Sequence, residues 1–194
     1  MDKIISQNGK FVYMTPRKKK QPRKITPSYL RNSGLFYLQK YVASSYQFER
    51  AMRRKIDRSC FVHTDQNKED CYAWLSEVTE EFRQLGYLND EAYLRGMLQS
   101  LRNSKGLSTR MILQKMRDKG FPEDQVLRGL SVIEDQDRKG ENEFVAAQKF
   151  AKRKKLGPYH PAPPRKTYEQ QLATLARAGF SYDICKKVLE TEDI

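Results

Sequence analysis

Cys60, His63 and Cys71 are the residues of this chain whose types and spacing come nearest to metal chemistry. Two thiolates and an imidazole suit zinc, but a closed tetrahedral site needs four ligands and no fourth lies at an obvious spacing. The stretch therefore reads as a loop with two incidental thiols, and no metal is expected. The other histidine, His160, sits in a proline-rich stretch. No nucleophile–base pair, carboxylate cluster or glycine-rich phosphate loop occurs at a meaningful spacing. No catalytic residue and no cofactor are expected, and the chain reads as a non-enzyme.

The chemistry that the sequence does offer is electrostatic. Thirty-seven Lys and Arg face 24 Asp and Glu in 194 residues, a net charge of +13. That surplus favours a polyanionic partner, a nucleic acid or an acidic protein surface. The plainer alternative is a helical protein with a basic bias. The cations are grouped: Arg50, Arg53, Arg54, Lys55 and Arg58; Arg110, Lys115 and Lys119; and Lys152, Arg153, Lys154 and Lys155. The segment RKKKQPRK (17–24) holds six more in eight positions. With a proline inside and no apolar periodicity, it predicts a flexible basic arm over 1–25.

These groups ride on helices. Phe48, Met52 and Ile56 recur every four residues, leaving the first group on the outer face of an amphipathic helix. Ile112, Leu113 and Met116 do the same for the second, after Ser108 as N-cap. Thr26-Pro27 predicts a helix start, followed by Leu30, Leu35, Leu38, Tyr41 and Val42. A polar loop over 59–69 leads to Trp74, Leu75, Val78, Phe82 and Leu85, all read as core. Tyr93, Leu94, Met97, Leu98 and Leu101 open a second unit, and Val126, Leu127, Leu130 and Ile133 close it. Phe144, Ala147 and Ala151 open a third, ended by LGPYHPAPPRK. Thr167 with Gln170 then forms a capping box, and Ser181 starts a last helix. Tyr159 and Tyr168 are candidates for partner contact.

A repeated phrase ties the units together. RDKGFPEDQVLRGL (117–130) and ARAGFSYDICKKVL (176–189) align Gly120 with Gly179, Phe121 with Phe180, Asp124 with Asp183 and Leu130 with Leu189, 59 positions apart. Such an echo marks a duplicated supersecondary unit. Glycine reverses the chain, phenylalanine plugs the corner, and an acid caps the next helix. The expected fold is all-α, a curved tandem array of three three-helix repeats over 26–88, 89–139 and 140–194. The first repeat has a lengthened loop and lacks the Gly-Phe. In a curved array, equivalent second-helix positions line one surface, so the cations should form a continuous strip.

No run nears the roughly 18 apolar residues of a membrane span. Three cysteines, an odd number without framework spacing, predict free thiols in a reducing compartment. A cytoplasmic monomer is expected.

The segments LGYLNDEAYLRGML (85–98) and SKGLSTRMILQKMRDKGF (104–121) resemble the central signature of the RecX family, regulators of the bacterial recombinase RecA. KITPSYLRNSGLFYLQKYVASS (24–45), KKLGPY (154–159) and LARAGFSYDICKKVL (175–189) are similar to its alphaproteobacterial variant. The resemblance covers roughly 24–190 in the family's order. It implies a curved helical array with a positive face that lodges in the groove of the RecA filament on single-stranded DNA. It also implies inhibition of RecA's ATPase, strand-exchange and co-protease activities, in recombination, DNA repair and the SOS response. The basic arm, the 59–69 loop and the 158–166 stretch depart from the family's simplest form. The rival reading is a basic helical module acting directly on DNA, although no helix groups Asn, Gln and Arg for base-edge reading.

Overall fold

The computed structural model describes residues 21–134, 142–160 and 166–191. Among them lie nine α-helices and no strand. They are α1 (Pro27–Lys40), α2 (Ser45–Val62), α3 (Lys68–Gln84), α4 (Asp90–Gln99), α5 (Thr109–Arg117), α6 (Glu123–Ile133), α7 (Asn142–Lys154), α8 (Tyr168–Arg177) and α9 (Tyr182–Glu190). A π-helical turn, Ser100–Ser104, extends α4, and a 3-10 turn, Gly157–Tyr159, follows α7.

The starts of these helices follow the sequence closely. Thr26, Ser44, Asn67, Asn89, Ser108, Thr167 and Ser181 each accept a backbone N–H of the first turn. Ser44 with Gln47 and Thr167 with Gln170 close full capping boxes. Pro122 stands at the N-cap of α6 without a side-chain cap, so Glu123 and Asp124 act on the helix dipole rather than as the cap that was expected.

Within each successive triplet the third helix packs on both others: α3 on α1 and α2, α6 on α4 and α5, α9 on α7 and α8. Two apolar cores result. One joins Ile25, Leu30, Phe48, Met52, Ile56, Leu75, Val78 and Phe82, and the other runs continuously from Tyr93 to Val188. Fully burying a side chain such as Phe48, Met52 or Ile56 contributes about 1.5–3 kcal/mol.

The triplets meet through a joint built twice. Ser44 Oγ donates to the carbonyl of Lys119 at 2.7 Å, and Ser108 Oγ to that of Ala178 at 2.6 Å. In each joint the next backbone N–H, of Ser45 or Thr109, donates to an acid opening the following triplet: Asp90 at 2.7 Å, Glu143 at 3.1 Å. The glycine after each accepting carbonyl lies in the left-handed region, at φ 87° for Gly120 and 88° for Gly179. A Cβ on Gly120 would lie 2.4 Å from the Tyr46 side chain, and one on Gly179 2.6 Å from Ser108 Oγ. The repeated phrase therefore does more than turn the chain, because it is also the surface on which the preceding triplet sits. Phe121 stacks on Tyr93 and Phe180 meets Phe150 edge-on, with centroids 5.9 and 5.8 Å apart.

Several expectations need correction. Helix α2 continues to Val62, so the 59–69 loop shrinks to the five residues between Val62 and Lys68, no longer than the α5–α6 connection. Residues 21–25 are not free chain. Gln66 clasps both backbone groups of Ile25 (2.9 and 2.8 Å), Ser59 Oγ donates to the Arg23 carbonyl at 2.8 Å, and Lys24 pairs with Asp65. Ile25 is buried as a result, and residues 1–20 of the expected arm lie outside the described residues. Tyr41, Val42, Leu85 and Leu127 are exposed rather than core, since α1 stops at Lys40, Leu85 is the α3 cap, and Leu127 lies at the edge of the stripe that Val126 and Leu130 bury. Tyr159 is partly buried against the larger core rather than free, and part of the 158–166 stretch lies outside the described residues.

Candidate polyanion-binding surface

The cations of the three groups on α2, on α5 with its following turn, and at the end of α7 share one property: almost none has an acid to answer it. Arg50, Arg54, Lys55, Arg58, Arg110, Lys115, Lys119, Lys152, Arg153, Lys154 and Lys155 make no ion pair among the described residues. Arg53 is the exception, 3.7 Å from Glu49 and with its guanidinium 5.0 Å from the Tyr72 ring centroid. Several cations outside these groups are answered: Arg31 by Glu81, Lys68 by Asp57, Arg95 by Glu91, Arg117 by Glu123 and Arg128 by Asp124. Unanswered cations on exposed helix faces repel one another, and a polyanion relieves that repulsion while releasing its counterions.

The helix geometry places Arg50, Arg54 and Arg58 one turn apart on α2, opposite Phe48, Met52 and Ile56. Arg58 Nε also donates to the Arg54 carbonyl at 3.0 Å, which holds its side chain along the helix. Lys119 does not lie on α5, which ends at Arg117, but in the turn that receives Ser44. There its ammonium stands 5.7 Å from the Tyr93 ring centroid. Both Arg54 and Lys119 bear on Tyr37. Burial, followed by the neighbouring Tyr41 and Tyr93, raises the Tyr37 pKa, while Arg54 and Lys119 oppose the rise. Arg54 and Lys119 thus act on the same tyrosine across the first joint, although they are far apart in sequence.

Arg110 reaches across the second joint instead, its Cβ and Cδ lying 3.3 and 3.5 Å from where a Cβ of Gly179 would stand. Lys115 is exposed on α5. Lys152, Arg153, Lys154 and Lys155 close α7, the first helix of its triplet, and so stand apart from the second-helix groups. The second helix there is α8, and its face offers Lys166, Gln170, Thr174 and Arg177 around a shallow concavity of about 490 Å³. A similar concavity of about 650 Å³ runs along α5 through Thr109, Arg110, Leu113, Gln114 and Arg117, and is also lined by Glu123 of α6. Arg177 escaped the sequence reading because it stands singly, and Lys166 because it belongs to a basic pair, Arg165-Lys166, rather than to a run.

Other candidates are accounted for. His63 Nε2 hydrogen-bonds the Pro22 carbonyl at 2.9 Å, and no group of three potential metal ligands occurs among the described residues. Cys60, Cys71 and Cys185 are free thiols. Burial first, then the adjacent Cys60, pushes the Cys71 thiol up to about 11, which keeps it protonated and unreactive. Trp74 packs against the first core, and the Tyr168 hydroxyl donates to Glu190 at 3.2 Å. No helix of the described residues is long and apolar enough to cross a membrane.

No protein-family profile matches the chain. A protein named Regulatory protein RecX from Myxococcus xanthus is 40% identical over 175 residues, covering 89% of this chain and 90% of its own. Its namesake from Agrobacterium fabrum is 32% identical over 174 residues, covering 86% and 88%. Among solved structures, a crystal structure of regulatory protein RecX superposes with a TM-score of 0.56 at 17% identity, over 85% of this chain and 72% of that one. The crystal structure of RecX from Lactobacillus salivarius gives 0.53 at 20% identity, over 84% and 94%. At those identities the two crystal structures speak for the fold, while the sequence relatives speak for the family.

Proposed function

The chain belongs to the RecX family of regulatory proteins, and from that premise we propose that it binds RecA filaments on single-stranded DNA and restrains them. Restraint here means lower ATP turnover, strand exchange and co-protease activity, with no chemistry performed by the regulator itself. The observation that supports this reading is the set of unanswered cations on α2, α5 and the end of α7, where only Arg53 and Arg117 are paired among the described residues. A filament is a long, repetitive polyanion, and a row of helical triplets offers it repeated contacts, each of moderate strength. Binding should fall steeply with salt as counterions are released.

The test is RecA ATP turnover on single-stranded DNA with increasing regulator, with filament length followed by electron microscopy. The wild-type chain lowers turnover and shortens filaments. Arg50→Glu, Arg54→Glu and Lys115→Glu together abolish both effects while the far-ultraviolet circular dichroism stays helical. Unchanged inhibition by that folded variant defeats the reading, and tighter binding to bare DNA than to RecA-coated DNA favours the direct DNA-binding rival.

A further inference from the structure

We propose that the first joint carries a stacking site for single-stranded DNA, with Tyr41 and Tyr46 as base platforms and Arg50, Arg54 and Lys119 holding the phosphates. The site deepens the filament reading, and rests on it for its biological setting, but its chemistry is independent of RecA.

The tyrosines gather where the first two triplets meet. Tyr41 leaves the end of α1 in an extended conformation, its ring centroid 5.1 Å from that of Tyr37, and 58% of its surface is exposed. Tyr46 opens α2 and covers Gly120, where no side chain fits, yet keeps 50% of its surface exposed. Arg50 follows Tyr46 by one helical turn and Arg54 by two, so ring and cations share a face. Lys119 adjoins Gly120, and its carbonyl accepts the hydroxyl of Ser44, which ties this cation to the same corner. No acid pairs with any of the three cations among the described residues.

This combination selects among polyanions. An acidic protein surface is answered by cations alone, and duplex DNA keeps its base faces stacked inside. Half-exposed rings beside phosphate-seeking cations match a strand whose bases are free to stack, where each base–ring contact is worth about 1–3 kcal/mol. The second joint lacks the feature. Residue 110, two past its Ser108 as Tyr46 is two past Ser44, is arginine, and alanine replaces Lys119 ahead of the glycine.

The experiment measures fluorescence anisotropy of a labelled oligothymidylate and of a labelled hairpin duplex, with the full-length chain and no RecA. Tyr41→Ala combined with Tyr46→Leu should weaken oligothymidylate binding by about tenfold or more, and hairpin binding by less than about twofold. Leucine keeps the Cβ and Cγ that rest on Gly120 but lacks a π-face. Tyr41→Ala alone, in a ring outside the helix, gives a smaller loss of the same kind if the double variant unfolds. Arg50→Gln with Arg54→Gln should weaken both probes and reduce the salt slope by about one for each phosphate no longer neutralised. An equal loss on both probes, or no loss on either, overturns the stacking site. Because bare DNA is the ligand, failure here leaves the filament reading standing, and failure of the filament assay leaves this result standing.

Discussion

Ser108 Oγ and the carbonyl oxygen of Ala178 lie 2.6 Å apart, 70 residues apart in sequence, with the serine fully buried. The same hydroxyl oxygen accepts the Met111 N–H at 3.3 Å, so one atom caps α5 and fastens the third triplet to the second. Alanine at 108 removes the cap and strands a buried carbonyl. Together these should lower stability by about 2–3 kcal/mol, read as a shift in the urea midpoint at constant slope. Threonine, which retains the oxygen, should restore most of it. Ser44→Ala should behave alike at the first joint.

That doubled role marks what the sequence could and could not tell. Serine before an amphipathic run declares an N-cap, and the four-residue recurrence of Phe48, Met52 and Ile56 declares a buried stripe, because both signals are local. The second partner of Ser108 is 70 residues distant and leaves no periodic trace. Gln66 is equally silent: a lone amide in a polar stretch gives no sign that it clasps Ile25. The same reason explains why the basic runs were legible while the tyrosines around Lys119 were not. Runs are read along the chain, whereas that corner is assembled from α1, α2 and the turn after α5.

Arg102 is the clearest of these silent residues, and its loss should be severe. It is 5% exposed and reaches Glu134 at 2.6 Å, Glu143 and the Leu107 carbonyl at 2.8 and 2.9 Å, and Thr109 Oγ1 at 2.6 Å. One guanidinium therefore ties the π-helical turn to the start of α5, the cap of α6 and the first turn of α7. Arg102→Ala leaves two partly buried carboxylates facing each other and should cost about 3–5 kcal/mol in urea unfolding. Adding Glu143→Gln to that variant should recover part of the loss, and recovery of none would mean the pair is not coupled.

Acid should loosen the contact between α2 and α3. Asp57 accepts from Lys68 at 2.6 Å and from the Tyr72 hydroxyl at 2.7 Å, and these bonds, the lysine's first, hold its pKa below the ordinary carboxylate value. A carboxylate depressed in the folded state stabilises above its unfolded pKa and loses that contribution as pH falls through its folded pKa. Urea midpoints of wild type and Asp57→Asn should therefore differ at neutral pH and converge below the usual carboxylate range. The carboxylate is about half exposed, so the difference should be small and should shrink further in high salt.

Lys155 allows stability and charge to be separated. It is the one non-glycine residue with positive φ among those described, 54°, and it follows α7 as Gly86, Gly120 and Gly179 follow α3, α5 and α8. The following Leu156 N–H bonds back to the Ala151 carbonyl at 3.0 Å and its side chain is fully buried, so the conformation is fixed by packing rather than by the lysine. A side chain in this region is strained by about 1–2 kcal/mol, which glycine relieves less its own entropic cost. Lys155→Gly should raise the melting temperature by about 2–4 °C, whereas Lys155→Ala, which keeps the Cβ, should not. Because the same residue belongs to the unanswered cations of α7, the glycine variant should be more stable and bind a polyanion less steeply with salt, by about one unit of slope if Lys155 meets a phosphate. A variant that gains stability and keeps the full slope would place Lys155 outside the contact surface, leaving Lys152, Arg153 and Lys154 to carry that end of the charge.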